Sequence, residues 1–426
     1  MTTTQEATLA RLAVAPSGTA RLLPTDETAA PRTPRTAAQL RTPAALISDI
    51  DAAGLLGRGG GGFPTARKLL AVAQHTHRGR RAAVVVANCC EGDPSSAKDR
   101  VLTARSPHLI IDGALAAAAA VGADRIVLAA HRGSSAVAQL TAALSRTHTE
   151  IAEIEVCEIP ARFVASEASA VVNFVNTGDA RPTGKLNPVW KKGIDARPTL
   201  VGNAETLAHL GMIASFGPDW YRSVGTAVEP GTTLMTITGA VGRPGVLEVA
   251  HGVAITAILR ATNAQAAKWA LVGGLAGRWV TLHALSRSGF STTALTEAGA
   301  VRGVSSITVL PAEDCVLNET SRILSYLARS GAGQCGPCMF GLPAIAADMA
   351  ALNNGDHEAL RRLRRRLPVI DHRGGCSHPD GAVAMTANAL AVLTGPETTH
   401  LTEHLEGRRC APSAKFLPDL HPAAAS

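Results

Sequence analysis

The chain has 426 residues, of which 46% are hydrophobic and only 3% are aromatic, and its formal net charge is +7. This length predicts two or three domains with cores built mainly from Ala, Val and Leu. The positive charge does not indicate a nucleic-acid-binding protein, because no basic stretch alternates with aromatic side chains that could stack on bases.

The apolar segments are too short for a membrane protein. No run reaches the roughly 18 uninterrupted apolar residues of a membrane-spanning helix, so we expect no direct membrane insertion. The N-terminus lacks the basic start and apolar core of a secretory signal. Eight cysteines in such a chain are typical of thiols or metal ligands, not of a disulfide framework. We therefore expect a cytoplasmic protein, which could join a membrane complex only through partner proteins.

The first distinctive segment of the chain is a run of glycines. Residues 1–40 are rich in Thr, Ala, Pro and Arg without periodicity and predict a loose N-terminal arm. The segment Gly57–Lys68 then reads Gly-Arg-Gly-Gly-Gly-Gly-Phe-Pro-Thr-Ala-Arg-Lys. Its four consecutive glycines allow positive φ and close approach to a flat or anionic ligand. Pro64 is suited to the first turn of a helix, and Lys68 follows one turn later, where it could reach a phosphate.

Two familiar phosphate-binding motifs do not fit this run. Gly57-x-Gly59-x-x-Gly62 has the spacing of the dinucleotide fingerprint, but residues 44–50 before it have helical spacing instead of the required strand. A P-loop would require Gly-Lys-Ser/Thr, whereas Phe63 follows Gly62. The glycine run therefore belongs to neither class.

After the glycines, helical and strand patterns alternate. The predicted elements are helices at 65–74, 106–121 and 134–144 and strands at 82–87, 125–130 and 151–159. This alternation predicts an α/β domain over residues 41–228, with a parallel sheet covered by helices on both faces. Ligands of such sheets bind beyond the carboxyl ends of the strands.

From Gly231 onward the pattern changes twice. Alternating runs at 234–239 and 245–249 predict a hairpin, and a short helix at 255–260 and strands at 269–272 and 306–310 follow. They predict a small α+β domain over residues 229–312. Helices predicted at 318–328, 343–352, 357–367 and 381–393 then form a helical bundle over residues 313–410, followed by a tail at 411–426. The arginines between 361 and 366 predict a solvated helix face.

The glycine run also resembles a family motif. Gly57–Lys68 resembles the GRGGxGFPTxxK flavin loop of the FMN-carrying, NADH-oxidising F subunit of bacterial respiratory complex I. Other segments extend the resemblance, in the same order, over roughly residues 40–400. The resemblance implies a Rossmann-like FMN-binding domain, a ubiquitin-like β-grasp domain that resembles soluble-ligand-binding domains, and a helical domain with an iron–sulfur site.

Three further segments carry the flavin part of this resemblance. Residues 88–100 resemble NADESEPGTFKDR, residues 162–170 resemble RYICGEETA, and residues 198–207 resemble PTTINNVETL. Amides and carboxylates suit a flavin, whose rim and ribityl chain present alternating donors and acceptors. The residues thereby implied to bind the cofactor are Gly57, Gly59, Gly60, Gly61, Gly62, Phe63, Lys68, Asn88, Glu91, Gly92, Asp93, Glu167 and Asn203.

The resemblance implies NADH as a possible substrate, but several nucleotide-binding positions differ. Phe63 is kept and could stack on the dinucleotide, whereas Ala71 replaces a second aromatic residue and Ala168 replaces a glutamate. Trp190 lies near the place of a third aromatic residue. Each lost aromatic contact would cost about 1 kcal/mol. We therefore expect weak binding of NADH.

The cysteines of the helical region resemble the family's SCGxCxPC…C iron–sulfur site. Cys335 and Cys338 form a C-x-x-C pair, Cys376 follows downstream, and the usual first ligand falls at Ala332. Soft thiolates are the ligands that iron–sulfur clusters require. Three ligands imply a [4Fe–4S] or a [3Fe–4S] cluster.

The incomplete ligand set leaves alternatives open. The fourth corner of the cluster could be empty or capped by solvent, Cys315, Cys410 or His378. Zinc held by the three cysteines and His378 is a second possibility. A redox disulfide between Cys335 and Cys338 is a third, although it would be expected in a thioredoxin-like βαβ unit.

The most favoured function is electron transfer from NADH through FMN to the cluster and on to a partner. That partner would be an electron-accepting iron–sulfur protein or a ferredoxin-like subunit. No catalytic side chain is required, because the flavin carries the chemistry. Two alternatives are a ferredoxin-linked flavoprotein that has lost nicotinamide binding and a non-enzymatic assembly or binding subunit.

Overall fold

The structure is a computed structural model that describes residues 20–23, 42–79, 81–147, 149–184, 188–408, 410 and 416–417. The predicted tail and most of the predicted N-terminal arm lie outside these residues. The helices are α1 (Pro43–Ala53), α2 (Thr65–Arg78), α3 (Lys98–Arg105), α4 (Pro107–Val121), α5 (Ser135–Leu144), α6 (Ala168–Thr177), α7 (Ala204–Phe216), α8 (Pro218–Arg222), α9 (Ile255–Ala261), α10 (Leu282–Ser286), α11 (Thr292–Glu297), α12 (Val316–Arg329), α13 (Leu342–Asn353), α14 (His357–Ile370), α15 (His378–Leu393) and α16 (His400–Leu405). The strands are β1 (Ala83–Asn88), β2 (Ala123–His131), β3 (Glu153–Ile159), β4 (Thr199–Asn203), β5 (Thr232–Gly239), β6 (Gly245–Ala250), β7 (Trp269–Val272), β8 (Arg278–Thr281) and β9 (Ser306–Val309).

The first sheet is parallel and has the strand order β3-β2-β1-β4. Its central strand β1 is apolar and buried, as expected for a parallel sheet covered on both faces. From β1 the chain proceeds to β2 and β3 on one side and returns to add β4 on the other. Open α/β sheets bind ligands in the crevice that such a reversal of strand order creates. Asn88 and Asn203, the last residues of β1 and β4, are register partners at this crevice.

Two glycines bring α4 and α7 into backbone contact on one face of this sheet. A Cβ atom at Gly113 in α4 would lie 1.8 Å from the carbonyl oxygen of Leu207 in α7. A Cβ atom at Gly211 in α7 would lie 2.9 Å from the backbone nitrogen of Gly113. The helices can approach this closely only because both positions lack a side chain. The sequence patterns predicted neither α7 nor the short strand β4 that leads into it.

The second sheet is mixed and has the strand order β6-β5-β9-β7-β8. β5 and β9 are parallel, whereas the other neighbouring pairs are antiparallel. The predicted hairpin corresponds to β5 and β6, and the sequence patterns did not predict β8.

Helices α12 to α16 form the C-terminal region. Their core includes Trp269, Leu271 and Trp279, which come from the second sheet, so the two regions share apolar packing. The prediction of an α/β fold with a parallel sheet and a helical C-terminal part is confirmed. Among the helices of the described ranges, we find none with the length and apolar character to cross a membrane.

The loose-arm prediction is wrong for residues 20–23. The buried carboxylate of Glu248 accepts hydrogen bonds from three consecutive backbone N–H groups of this segment, at 2.9 to 3.0 Å. The guanidinium of Arg21 lies 3.9 Å from the ring centre of Trp220. Backbone amides and a cation–π contact therefore anchor a segment whose composition alone indicates no structure.

The contact between α4 and α7 predicts that Gly113→Ala will destabilise the fold. The added methyl group meets backbone atoms, which cannot move aside as a side chain could, so overpacking should lower the free energy of unfolding by about 1–3 kcal/mol. Urea unfolding of the flavin-free protein measures the change. Gly61→Ala is the control, because a Cβ there would meet no atom within 4 Å. An unchanged midpoint for Gly113→Ala would contradict the close helix contact.

Candidate functional site

The glycine run forms a closed loop above the crevice between β1 and β4. The Gly57 N–H donates a hydrogen bond to the Phe63 carbonyl at 2.9 Å, which closes the loop. Gly60 and Gly62 have φ values of 100° and 59°, so these two turns favour glycine. A Cβ atom at Gly59 would lie 3.5 Å from Cβ of Asn203, so the loop reaches the carboxyl end of β4.

The outer surface of the loop faces open space. A Cβ atom at Gly61 would meet no atom within 4 Å, and its φ is not in the left-handed region. The adjacent Phe63 side chain is 57% exposed. Neither packing nor backbone conformation therefore requires glycine at position 61. A flat ligand lying against the loop would require glycine there, because any side chain would occupy the ligand's place. The open surface therefore fits a flavin.

Arg58 fixes the loop from beneath. Its backbone N–H donates to Oγ1 of Thr206 at 2.8 Å, and its guanidinium donates to the Tyr221 hydroxyl at 2.9 Å and the Thr232 carbonyl at 3.2 Å. The side chain is only 3% exposed. The loop is thereby attached to α7 and β5. No sequence pattern indicated this role, because an arginine within a glycine run is usually typical of a solvated loop.

A buried charge cluster lies beside Asn203. Lys98 Nζ lies 2.7 Å from Oδ1 of Asp99 and 3.1 Å from Oε2 of Glu205. The Asn203 amide donates to Oδ2 of Asp99 at 2.7 Å. Burial raises the pKa of Asp99 to about 6, although the neighbouring Lys98 opposes the shift. The cluster holds the Asn203 side chain in one orientation at the end of β4.

Two of the predicted flavin-binding carboxylates cap helices. Glu91 accepts hydrogen bonds from the backbone N–H groups of Asp99 and Arg100, both at 3.2 Å, in the first turn of α3. Glu167 accepts from the backbone N–H of Ser169 at 2.8 Å at the start of α6. Both carboxylates therefore stabilise helix N-termini next to the crevice.

Gly92 and Asp93 join neighbouring segments. A Cβ atom at Gly92 would lie 2.6 Å from the Phe163 carbonyl oxygen, so the turn at Phe163–Ser166 packs directly on this position. Asp93 accepts hydrogen bonds from the backbone N–H of Ser95 at 2.9 Å and of Leu275 at 2.8 Å. Burial raises the pKa of Asp93. These two residues connect the crevice to α6 and the second sheet.

The amide of Asn88 and the amine of Lys68 have protein partners. The Asn88 amide donates to the Ser166 carbonyl at 2.8 Å. Lys68 Nζ donates to the Val201 carbonyl on β4. Burial lowers the pKa of Lys68, and the nearby Glu167 opposes this shift. The ammonium group thus lies against the sheet instead of extending away from it.

The second sheet supplies a wall of the same site. Arg302 Nη2 donates to the Gly57 carbonyl at 3.3 Å, and the Gly303 backbone would lie 3.7 Å from a Cβ atom at Gly60. Arg302 is 6% exposed, and its Nη1 has no hydrogen-bond partner among the described residues. Burial lowers its pKa. A buried guanidinium therefore lies directly behind the glycine loop, which the sequence patterns did not reveal.

The region around Ala71 contains aromatic rings from other positions. His75, one turn further along α2, makes an edge-on contact with Trp190 at 5.0 Å between ring centres. Ala168 is the first residue of α6 and directly follows the capping Glu167. Phe63 and Trp190 therefore remain as aromatic surfaces near the predicted nucleotide-binding positions.

Three cysteines lie near the loop that connects α12 to α13. Cys335 and Cys338 belong to this loop, and Cys376 lies close to them. The Cys335 carbonyl accepts from the backbone N–H of Cys338 at 3.0 Å, and the turn continues as a π-helical segment, Pro337–Gly341. The Gly333 N–H donates to Cys338 Sγ at 3.3 Å, so the loop containing Ala332 wraps this sulfur. Burial raises the pKa of Cys376, and the nearby thiols of Cys338 and Cys335 add to the shift. This group of soft ligands fits an iron–sulfur cluster.

The structure distinguishes the possible substitutes for the missing fourth thiolate. A Cβ atom at Gly331 would lie 3.7 Å from Nε2 of His378 and 2.4 Å from Cys338 Sγ, so this histidine borders the cysteine group. Its Nε2, however, donates a hydrogen bond to the Leu327 carbonyl at 2.9 Å. Cys315 instead caps the N-terminus of α12, whose C-terminus leads to the cysteine loop. Fourteen helical residues separate these ends by about 21 Å. Cys315 and its neighbour Cys410 are therefore too far away to supply the fourth ligand, and the prediction that either could do so is wrong.

Comparison with known proteins identifies the two parts of the chain. Residues 50–211 match the Nuo51 FMN-binding domain, and residues 318–394 match the NADH-ubiquinone oxidoreductase-F iron-sulfur binding region. An NADH-quinone oxidoreductase F subunit of Rhizobium meliloti is 26% identical over 392 residues, covering 87% of this chain and 90% of the relative. The F subunit of the Escherichia coli NADH-quinone oxidoreductase is 28% identical over 382 residues, covering 82% of each chain.

A solved structure supports the same relationship. A chain of an NAD+-reducing [NiFe]-hydrogenase in the air-oxidized state has a TM-score of 0.77 and 25% identity, covering 92% of this chain and 68% of the other. The glycine loop lies in the matched FMN-binding region, and all three cysteines lie in the matched iron–sulfur region. The chain therefore combines the two domain types of NADH-quinone oxidoreductase F subunits, an FMN-binding domain and an iron–sulfur binding region, and it is similar to those subunits over more than four-fifths of its length.

Proposed function

We propose that this chain oxidises NADH with FMN bound above the β1–β4 crevice and delivers electrons to a cluster held by Cys335, Cys338 and Cys376. The observation that carries the proposal is the closed glycine loop, which covers the crevice yet leaves Gly61 facing open space. When bound, FMN would accept a hydride, which carries two electrons, and release the electrons one at a time.

The chain's own residues would bind and orient the two nucleotides. The glycines at 57 and 59–62 provide the flat surface, and the amides of Asn88 and Asn203 lie at adjacent strand ends, where the polar rim of a flavin could be recognised. Lys68 and Arg302 add positive charge near an anionic ligand.

The remaining predicted site residues have supporting and stacking roles in this proposal. Glu91, Gly92, Asp93 and Glu167 shape the walls while they cap helices and join segments. Phe63 offers an exposed ring on which NADH could stack.

One short turn connects the two proposed redox sites. The turn Phe163–Ser166 contacts Asn88 and Gly92 at the crevice through its backbone. The ring of Phe163 lies 5.2 Å from the ring of His378, which borders the cysteine group. The flavin site and the cluster site are thus separated by about one layer of side chains, a separation that favours electron transfer between them.

We also infer the finer division of the chain. The order β6-β5-β9-β7-β8, with a parallel central pair, supports a β-grasp domain over residues 229–312. The parallel sheet supports an FMN-binding domain over residues 41–228, and the helices support an iron–sulfur domain over residues 313–410. An experimental structure in which β5 and β9 are not neighbours would overturn the β-grasp assignment.

A surface next to the cysteine group suits an electron-accepting partner. Gly336 and Pro337 line a cavity of about 650 Å³ together with Phe340, Arg365 and Arg373. Phe340 is 71% exposed. An apolar centre with basic groups around it is complementary to an acidic protein surface. We propose that an acidic iron–sulfur protein of the ferredoxin type docks here and receives electrons.

The flavin assignment predicts that NADH will reduce the bound FMN and bleach its visible absorbance. Protein purified without oxygen should contain FMN, and NADH should reduce it, with saturation only at high concentration because Ala71 and Ala168 replace binding groups. Gly61→Val should fold normally, since the space is open, but should lose FMN because the side chain occupies the flavin surface. The visible spectrum and released FMN measure both outcomes.

The control for this variant is Gly375→Val, where a Cβ would likewise meet no atom within 4 Å. It should retain FMN. A full complement of FMN in a folded Gly61→Val protein would contradict the site. A flavin that ferredoxin reduces but NADH does not would favour the ferredoxin-linked alternative, and the absence of flavin would favour the assembly role.

The incomplete ligand set predicts the effect of Ala332→Cys. A fourth thiolate should raise the iron content towards four per cluster and lower the reduction potential, because it adds negative charge next to the cluster. Ala332→Ser is the matched control, since it adds a polar atom but no thiolate. Iron analysis with electron paramagnetic resonance measures the change. Zinc in place of iron in both variants would contradict the cluster.

The docking surface predicts a selective loss of electron transfer. Arg365→Glu with Arg373→Glu should slow reduction of an acidic ferredoxin about tenfold or more at low salt, because the attraction becomes repulsion. Reduction of ferricyanide by NADH should not change. Arg146→Glu, an exposed position after α5, is the control. Equal rates of ferredoxin reduction by the unmodified protein, the double variant and Arg146→Glu would show that the partner docks elsewhere.

A further inference from the structure

A second group of thiols and imidazoles lies at the other end of α12. Donor atoms of Cys315, His400 and Cys410 all lie within 4.8 Å of one another. His404 borders this group: its Nε2 lies 3.6 Å from Cys315 Sγ, although it is not within 4.8 Å of all three donor atoms. Cys410 Sγ lies 3.6 Å from Nδ1 of His400. All four residues lie outside the region that matches the iron–sulfur family model, 318–394.

The spacing of these donors suits a single metal ion. In a tetrahedral zinc site with bonds of 2.0 to 2.3 Å, neighbouring donor atoms are roughly 3.3–3.8 Å apart. Both sulfur–nitrogen distances in this group fall in that range, at 3.6 Å. His400 and His404 are one turn apart on α16, so both rings can reach the same ion.

Surrounding groups orient two of the donors. His404 Nδ1 lies 2.8 Å from the Asn353 carbonyl, an arrangement that fixes a proton on Nδ1 and leaves the Nε2 lone pair facing Cys315. Cys315 Sγ accepts the backbone N–H of Asn318 at 3.3 Å, a contact that fixes the position of the sulfur at the N-terminus of α12. Both side chains are almost completely buried.

We propose that Cys315, His400, His404 and Cys410 bind a structural zinc ion. Two thiolates and two imidazoles are a donor set of structural zinc sites, which bind the ion without an open position for substrate. This site is distinct from the cysteine group at the far end of α12 and does not depend on the proposed oxidoreductase function.

The ion would fasten the end of the chain to the helical region. Cys410 follows α16, and beyond it the ring of Phe416 stacks on Trp279 at 5.5 Å between centres. The Phe416 carbonyl accepts a hydrogen bond from Arg322 at 3.2 Å. A metal bond at Cys410 would therefore hold the chain just before a segment that packs on α12 and the second sheet.

Metal analysis of the full-length protein, purified without oxygen and washed with chelator, tests the proposal. We expect about one zinc per chain in addition to iron. Cys410→Ser and His404→Gln should each lose zinc but keep iron and FMN, whereas Cys335→Ser should lose iron but keep zinc. Cys157→Ser, a half-buried thiol on β3, is the control and should keep both metals.

Cobalt gives a second measurement that does not depend on complete removal of zinc. Protein loaded with Co²⁺ should show thiolate-to-cobalt absorption that is lost in Cys410→Ser and unchanged in Cys157→Ser. The proposal would be overturned by the absence of zinc even after incubation with the metal, by loss of zinc only in Cys335→Ser, or by a disulfide between Cys315 and Cys410 in the peptide map. Loss of iron in Cys410→Ser would also overturn it, since these residues would then serve the cluster.

Discussion

The position of the glycine loop depends on a buried ion-pair cluster around Glu205. This carboxylate is fully buried and lies 3.1 Å from Lys98 and 3.8 Å from Arg58. Burial opposes its ionisation, but Lys98 and Arg58 outweigh this effect and lower its pKa. Removing one partner from such a cluster typically costs about 3–5 kcal/mol. The cluster joins the loop, α3 and α7, so the crevice and the residues above it form one unit.

The polar residues around the crevice have two different structural roles. The carboxylates that the family resemblance associates with the flavin are engaged in capping α3 and α6, whereas Asn88 and Asn203 lie side by side at the strand ends. A site that must accept a rigid ligand benefits when its walls are held by their own hydrogen bonds. The glycine loop supplies the open surface, and the charged residues beneath it supply its rigidity.

The helical region has a different kind of constraint at each end of α12. At its C-terminus, Cys335 and Cys338 share a turn with Gly333, and Phe163 connects the neighbouring His378 to the crevice between β1 and β4. At its N-terminus, Cys315 faces imidazoles from α16. One helix therefore separates a candidate redox group from a candidate structural metal site, which explains why the five cysteines of the helical region form two groups.

Local patterns in the sequence determined the α/β core, the helical C-terminal part, the glycine loop and the C-x-x-C pair, because each depends on residues close together in the chain. Only the tertiary structure decided that β4 lies beside β1 and that residues 20–23 are anchored to Glu248. It also brought Arg302 behind the loop and gathered Cys315, His400 and Cys410. These contacts join residues distant in sequence, and their formation depends on the packing of whole elements, which no local period or spacing records.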